Sequence, residues 1–227
     1  MKITLRAKFC AALRRHPCGW LLAAQLLAVC LYPFMEDSGP GRTAFVIFGN
    51  GVLALALWVV NRNPTVNWIG WLLAVPAAGL SIAAYLGGWE ALLPASHVLE
   101  SAVYFYAAAG LICYMLADYR VSLDEILAAG ATFTLLAWGF AFAFSVCQQW
   151  SPGSFAAAQN SDAPRTWMEL LFLSFSTLSS VGLSDIIPVK PGARALIMLE
   201  MFCGVMYIAI VVSRLVALAT LRVKGGK

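Results

Sequence analysis

Six apolar runs separated by short polar intervals set the pattern of this chain, at about Gly19 to Met35, Thr43 to Val60, Trp68 to Gly87, Val98 to Ala117, Ile126 to Gln149 and Ala193 to Leu221. A helix needs about 20 predominantly apolar residues to cross the hydrocarbon core of a bilayer, so each run reads as a transmembrane helix. A seventh apolar stretch, Thr166 to Leu178, lies between the fifth and sixth and is about half the spanning length, which assigns it to a buried or re-entrant helix. Thr166-Trp167-Met168-Glu169 at its start fits a capping box, in which the threonine and glutamate side chains satisfy each other's backbone amides. The one long polar stretch, Trp150 to Arg165, reads as an extracellular turret.

Composition fixes the solvent. Hydrophobic residues make up 61% of the chain and charged residues 11%, where soluble domains carry roughly a quarter charged. The chain is therefore an all-α integral membrane protein with the lipid bilayer as its partner and no room for a sizeable soluble domain. No internal repeat relates two halves, which weighs against a secondary transporter.

The formal net charge of +4 reflects topology and not a nucleic-acid partner, because the basic residues gather at helix ends. Placing the amino terminus in the cytoplasm puts Lys2, Arg6, Lys8, Arg14, Arg15, Arg62, Arg120, Arg214, Arg222, Lys224 and Lys227 inside, and only Arg42, Arg165, Lys190 and Arg194 outside. Both termini are thus expected inside. Residues 1–18 form a basic amphipathic segment suited to an anionic membrane surface or to setting topology. Leu27-Ala28-Val29-Cys30 resembles a lipoprotein cleavage box, but Val29 is bulky where a small residue belongs, so the segment is read as a retained helix. The six cysteines, Cys10, Cys18, Cys30, Cys113, Cys147 and Cys203, show no metal-ligand spacing and are expected to be small buried hydrophobes.

Catalysis has no inventory to draw on. The two histidines, His16 and His97, belong to opposite faces of the membrane, and Gly182-Leu183-Ser184-Asp185-Ile186 begins like a nucleophile elbow without its closing glycine. The chain is read as a non-enzyme without a cofactor.

Residues Thr177-Leu178-Ser179-Ser180-Val181-Gly182-Leu183-Ser184-Asp185-Ile186 resemble the potassium-channel signature T-L-T-T-V-G-Y-G-D-I, which joins pore helix to selectivity filter. Leu183 and Ser184 depart from it, standing in place of Tyr and Gly. The resemblance extends to Glu200, to Gly204 where such channels often carry a hinge glycine, and to Ser213-Arg214-Leu215-Val216. Upstream it includes Arg120-Val121 and Asp124-Glu125-Ile126, similar to the start of the fifth helix in bacterial six-span members. It implies a tetrameric pore-loop cation channel of the bacterial inner membrane. Residues 19–118 would form a four-helix membrane domain, residues 119–221 the pore domain and residues 222–227 a short cytoplasmic tail without a regulatory domain.

In that implied arrangement Thr166, Glu169 and Thr177 belong to the pore helix and Ser179 to Asp185 to the filter. Backbone carbonyls of Ser180, Val181 and Gly182, with the Ser180 hydroxyl, face permeant monovalent cations, K+ and with weakened selectivity Na+. Unpaired carbonyls at the end of the pore helix would favour a cation in the cavity. Asp185 would form a carboxylate ring at the outer mouth, with Arg165, Lys190 and Arg194 close enough in sequence to offset its field. Gly182 can take the positive φ that carbonyl alignment requires, whereas Ser184 must either bear it or refold locally. Leu183 also lacks the phenol that tethers the filter wall, so weakened potassium selectivity is expected.

Voltage sensing needs several basic residues along the fourth span, and Val98 to Ala117 has none. Glu100, near its outer end, is expected to be solvated at the interface. Glu200 is expected to pair behind the filter with a partner the sequence does not name. Gly204 serves equally as a hinge or as a small residue for close packing. The alternative function is a non-conducting channel-like scaffold or subunit whose filter has decayed.

Overall fold

The structure, a computed structural model, describes residues 16–35, 39–60, 67–117, 122–157 and 163–225. The basic segment before His16, with Cys10, and Arg62, Arg120, Val121 and Lys227 lie outside the described residues. Among the described residues seven α-helices and a two-stranded ribbon follow in order: α1 Pro17–Met35, α2 Gly39–Val60, α3 Asn67–Gly87, α4 Leu93–Ala117 entered through a 3-10 turn at Glu90–Leu92, α5 Leu123–Trp150, β1 Phe155–Ala157, α6 Trp167–Leu178, β2 Ile186–Pro188 and α7 Pro191–Gly225. Four stretches among the described residues are long and apolar enough to cross a membrane: Pro17–Phe34, Leu93–Ala117, Leu123–Trp150 and Pro191–Val211. The apolar described parts of α2 and α3, Ile47–Val60 and Trp68–Ala84, are shorter.

Polar side chains begin the central helix. Ser122 caps α5 and exchanges bonds with Glu125 in a capping box, its hydroxyl 3.2 Å from the Glu125 amide. Asp124 in the same turn accepts a bond from the Cys18 amide at 3.2 Å, so the starts of α1 and α5 lie at one level. Gly19 faces Leu127 and Gly130 faces Leu22, an advancing register that makes the two helices parallel. Against α5, α4 and α7 run antiparallel. Ser101 donates to the Gly139 carbonyl at 2.9 Å, Tyr207 donates to the Ala129 carbonyl at 2.5 Å, and Arg214 lies 3.9 Å from Glu125.

Aromatic rings fill the interior where α4, α5 and α6 meet. Tyr104 stacks on Phe142 with centroids 5.5 Å apart, and Trp138 meets Trp167 edge-on at 5.3 Å. Such pairs add about 0.5–1.5 kcal/mol each beyond burial. Glu100 is buried here, 7% exposed, which corrects its expected place at a solvated interface. The cysteines also divide: Cys18 is buried, Cys147 and Cys203 are half-buried, and Cys30 and Cys113 are exposed, correcting the expectation that all are buried. All five described cysteines are free thiols.

One stripe of α7 packs on the rest of the chain. Ala193, Ile197, Glu200, Gly204 and Tyr207 are buried, at the alternating spacing of four and three that keeps one helix face in contact. Met198, Met201, Phe202, Val205, Met206 and Ile208 on the other faces are exposed.

Candidate functional site

The segment between α5 and α7 turns back on itself, and its contacts trace the path. Its beginning is tied to the far end of α5, where the Gln148 side chain accepts from the Arg165 amide at 2.7 Å and donates to the Arg165 carbonyl at 2.9 Å. Thr166 and Glu169 then cap α6 reciprocally, with the Thr166 amide 2.6 Å from the Glu169 carboxylate and the Glu169 amide 3.3 Å from the Thr166 hydroxyl. The end of α6 is deep in the bundle. Leu178 touches α7 at Gly204, about 20 Å along that helix from Pro191 at the usual helical rise. After residues 179–185 β2 returns to pair antiparallel with β1, Ala157 opposite Ile186 and Phe155 opposite Pro188. The chain therefore descends as a 12-residue helix, reverses, and climbs back to the level it left.

The reversal is built from backbone amides that cap the end of α6. Ser179 N donates to the Phe175 carbonyl at 3.1 Å, Ser180 N to Thr177 at 3.0 Å, and both Val181 N and Gly182 N to Ser176 at 3.1 and 3.2 Å. Three of the last four carbonyls of α6 are thereby satisfied, and the Leu178 oxygen abuts Gly204, which corrects the expectation of unpaired carbonyls facing a cavity. With their amides turned toward α6, Val181 and Gly182 present their carbonyls elsewhere. Among the described residues no donor reaches the carbonyls of Ser180, Val181 or Gly182.

Two left-handed residues produce this orientation: Ser180 with φ 60° and Gly182 with φ 71°. Alternation of left-handed with ordinary backbone brings successive carbonyls to one side of the chain. Glycine adopts that conformation freely, whereas Ser180 bears about 1–2 kcal/mol for it. The alternation ends there. Ser184 keeps a negative φ and instead accepts a bond from the Ile186 amide at 3.1 Å, a local turn. Val181 and Leu183 are each 70% exposed in the single chain.

Behind this loop α7 supplies one buried carboxylate. Glu200 is wholly buried, and the Ser174 hydroxyl donates to its Oε1 while lying 2.8 Å from the Ala137 carbonyl of α5. Ser174 is the partner that sequence left unnamed. One turn further, a Cβ at Gly204 would sit well inside contact distance of the Leu178 carbonyl, with the Leu178 Cα only 3.0 Å away.

Asp185 is exposed, while the three nearby cations bond backbone carbonyls on either side of it. Arg165 is buried, donating to the Ala163 carbonyl and lying 3.5 Å from Glu169. Lys190 donates to the Pro152 carbonyl at 2.7 Å, and Arg194 donates to the Pro188 carbonyl at 3.3 Å. Each of the three holds a backbone carbonyl in place while keeping its positive charge. The sequence reading missed Ser176, whose carbonyl seats two amides, and the Ser122–Glu125 box with its Arg214 contact. The Ser-x-x-Glu spacing at 122–125 was an available signal for that box.

Comparison with known proteins bears on the same segment. A family model described as Ion channel matches residues 123–220, a little under half of the chain, running from the start of α5 into α7 and including the whole re-entrant loop. Neither the curated proteins nor the solved structures gave a match. Long apolar helices and this match together make the chain an integral membrane protein carrying a segment similar to an ion-channel pore domain.

Proposed function

We propose that four copies of this chain surround one axis and conduct monovalent cations passively, with weak preference for potassium over sodium and without voltage gating. The observation that carries this reading is the row of unbonded carbonyls at Ser180, Val181 and Gly182 on a loop that enters and leaves the bundle from one side. Backbone at that depth is tolerated where it lines a wet cavity. Carbonyls aimed at an axis can replace an ion's hydration shell, and one chain supplies a fraction of the ring. The local turn at Ser184 leaves fewer aligned carbonyls than a full potassium filter needs, which supports weak discrimination. In this reading six helices span the bacterial inner membrane, residues 119–221 form the pore, and the starts of α1 and α5 face the cytoplasm. Gly204 acts by packing α7 on the filter base, since its contact with Leu178 leaves no space for a side chain.

The Ser184 turn equally favours a second reading, in which the outer filter is closed and the protein is a non-conducting scaffold. Liposome flux of purified protein decides between them. Comparable K+ and Na+ flux through the wild type, with Leu183→Tyr plus Ser184→Gly shifting it toward K+, supports the conducting reading. Flux confined to the double variant supports the scaffold.

A further inference from the structure

We infer that Glu200 is the positioning residue of the filter: through Ser174 it fixes α6 against α5 and α7, and so sets where the Ser176 carbonyl seats the filter amides. The contacts form one continuous path. Glu200 Oε1 accepts from the Ser174 hydroxyl, which also lies 2.8 Å from the Ala137 carbonyl, so this one side chain meets all three helices of the pore segment. Two residues beyond, the Ser176 carbonyl takes the amides of both Val181 and Gly182, the residues whose free carbonyls define the candidate conduction path. The next turn repeats the register: Glu200 meets Ser174 as Gly204 meets Leu178, four residues on in each helix. Displacement of α7 therefore moves α6, and α6 carries the filter.

Burial argues that the carboxyl is there for this contact. Glu200 has no exposed surface, and among the described residues its second oxygen, Oε2, meets no donor. An ionisable side chain in an apolar spanning helix is expensive and marks function. A leucine there would fill similar volume without a polar atom, so packing alone does not account for Glu200.

The functional consequence rests on the conducting reading, but the positioning is testable without conduction. Amide hydrogen exchange is measured on purified full-length protein in nanodiscs, comparing wild type with Glu200→Gln, Glu200→Leu and Ser174→Ala. The expected result is about ten-fold faster exchange of Val181 and Gly182 in Glu200→Leu and Ser174→Ala, the loss of one buried hydrogen bond. Amides of α1 to α4 stay at wild-type rates, and Glu200→Gln, which keeps an acceptor of the same shape, stays near wild type. Unchanged filter exchange in Ser174→Ala, whose smaller side chain leaves folding least disturbed, overturns the inference, as does uniform acceleration across all helices. A wild type that passes no cation in the flux assay defeats the conducting reading alone and leaves this result standing.

Discussion

Two glycines of the pore segment are needed for different physical reasons, and substitution separates them. Gly182 has open space around its Cα but φ of 71°, so Gly182→Ala costs about 1–2 kcal/mol of backbone strain without a clash. Gly204 has helical backbone but lies against the Leu178 peptide, so Gly204→Ala forces two helices apart and costs about 1–3 kcal/mol of overpacking, more where backbone rather than a side chain must yield. Gly79, helical and with nothing within 4 Å, supplies the control, since Gly79→Ala is expected to be neutral or stabilising by up to about 1 kcal/mol. Thermal unfolding in detergent should rank Gly204→Ala lowest, then Gly182→Ala, then wild type and Gly79→Ala together or above. A Gly204→Ala protein as stable as wild type would show that α7 does not rest on the filter base.

At the scale of elements, the two capping boxes start the helices that build the pore segment. Thr166→Ala and Ser122→Ala each remove a side-chain acceptor from a first-turn amide, and each is expected to cost about 1 kcal/mol. The first should loosen exchange at the start of α6 and the second at the start of α5, while the opposite helix keeps its rate; loss at both ends from either change would mean that the boxes do not act locally. What the sequence revealed follows from the same distinction between local and distant causes. Apolar runs outlined the long helices because lipid-facing and buried residues are apolar alike, and the Thr166 box was readable because its partners lie three residues apart. The apolar run begins only at Ile126, inside α5, because Asp124 and Glu125 in the first turn are charged and a hydropathy pattern discards them. Ser174 as the partner of Glu200, Arg165 as a buried turret brace and the left-handed Ser180 were not legible. Each depends on where a chain remote in sequence, or the end of a helix, happens to lie.

At the scale of the whole molecule, the single chain leaves its sixth long helix half covered. Val205 and Ile208 are 54% and 39% exposed, and Phe202 and Met206, at 65% and 43%, border an open groove shared with α4 and α5. Lipid satisfies such faces, and so do identical helices around an axis. Native mass spectrometry from mild detergent should give a species of four chains under the proposed function, and a monomer alone would remove the shared axis. Four chains also turn one exposed carboxylate into a ring. Asp185 is exposed, and the cations near it in sequence, Arg165, Lys190 and Arg194, bond the carbonyls of Ala163, Pro152 and Pro188. Under the proposed function its carboxylate would concentrate cations at the mouth, an effect governed by screening. Asp185→Asn should lower single-channel conductance by roughly three-fold near 10 mM salt, where the Debye length is about 30 Å, and leave it almost unchanged near 1 M, where that length is about 3 Å. Salt sensitivity is the informative quantity. A variant whose conductance falls by one constant factor at every salt concentration has altered the shape of the filter, whereas a deficit that vanishes on screening places the Asp185 charge at the entrance of the ion path.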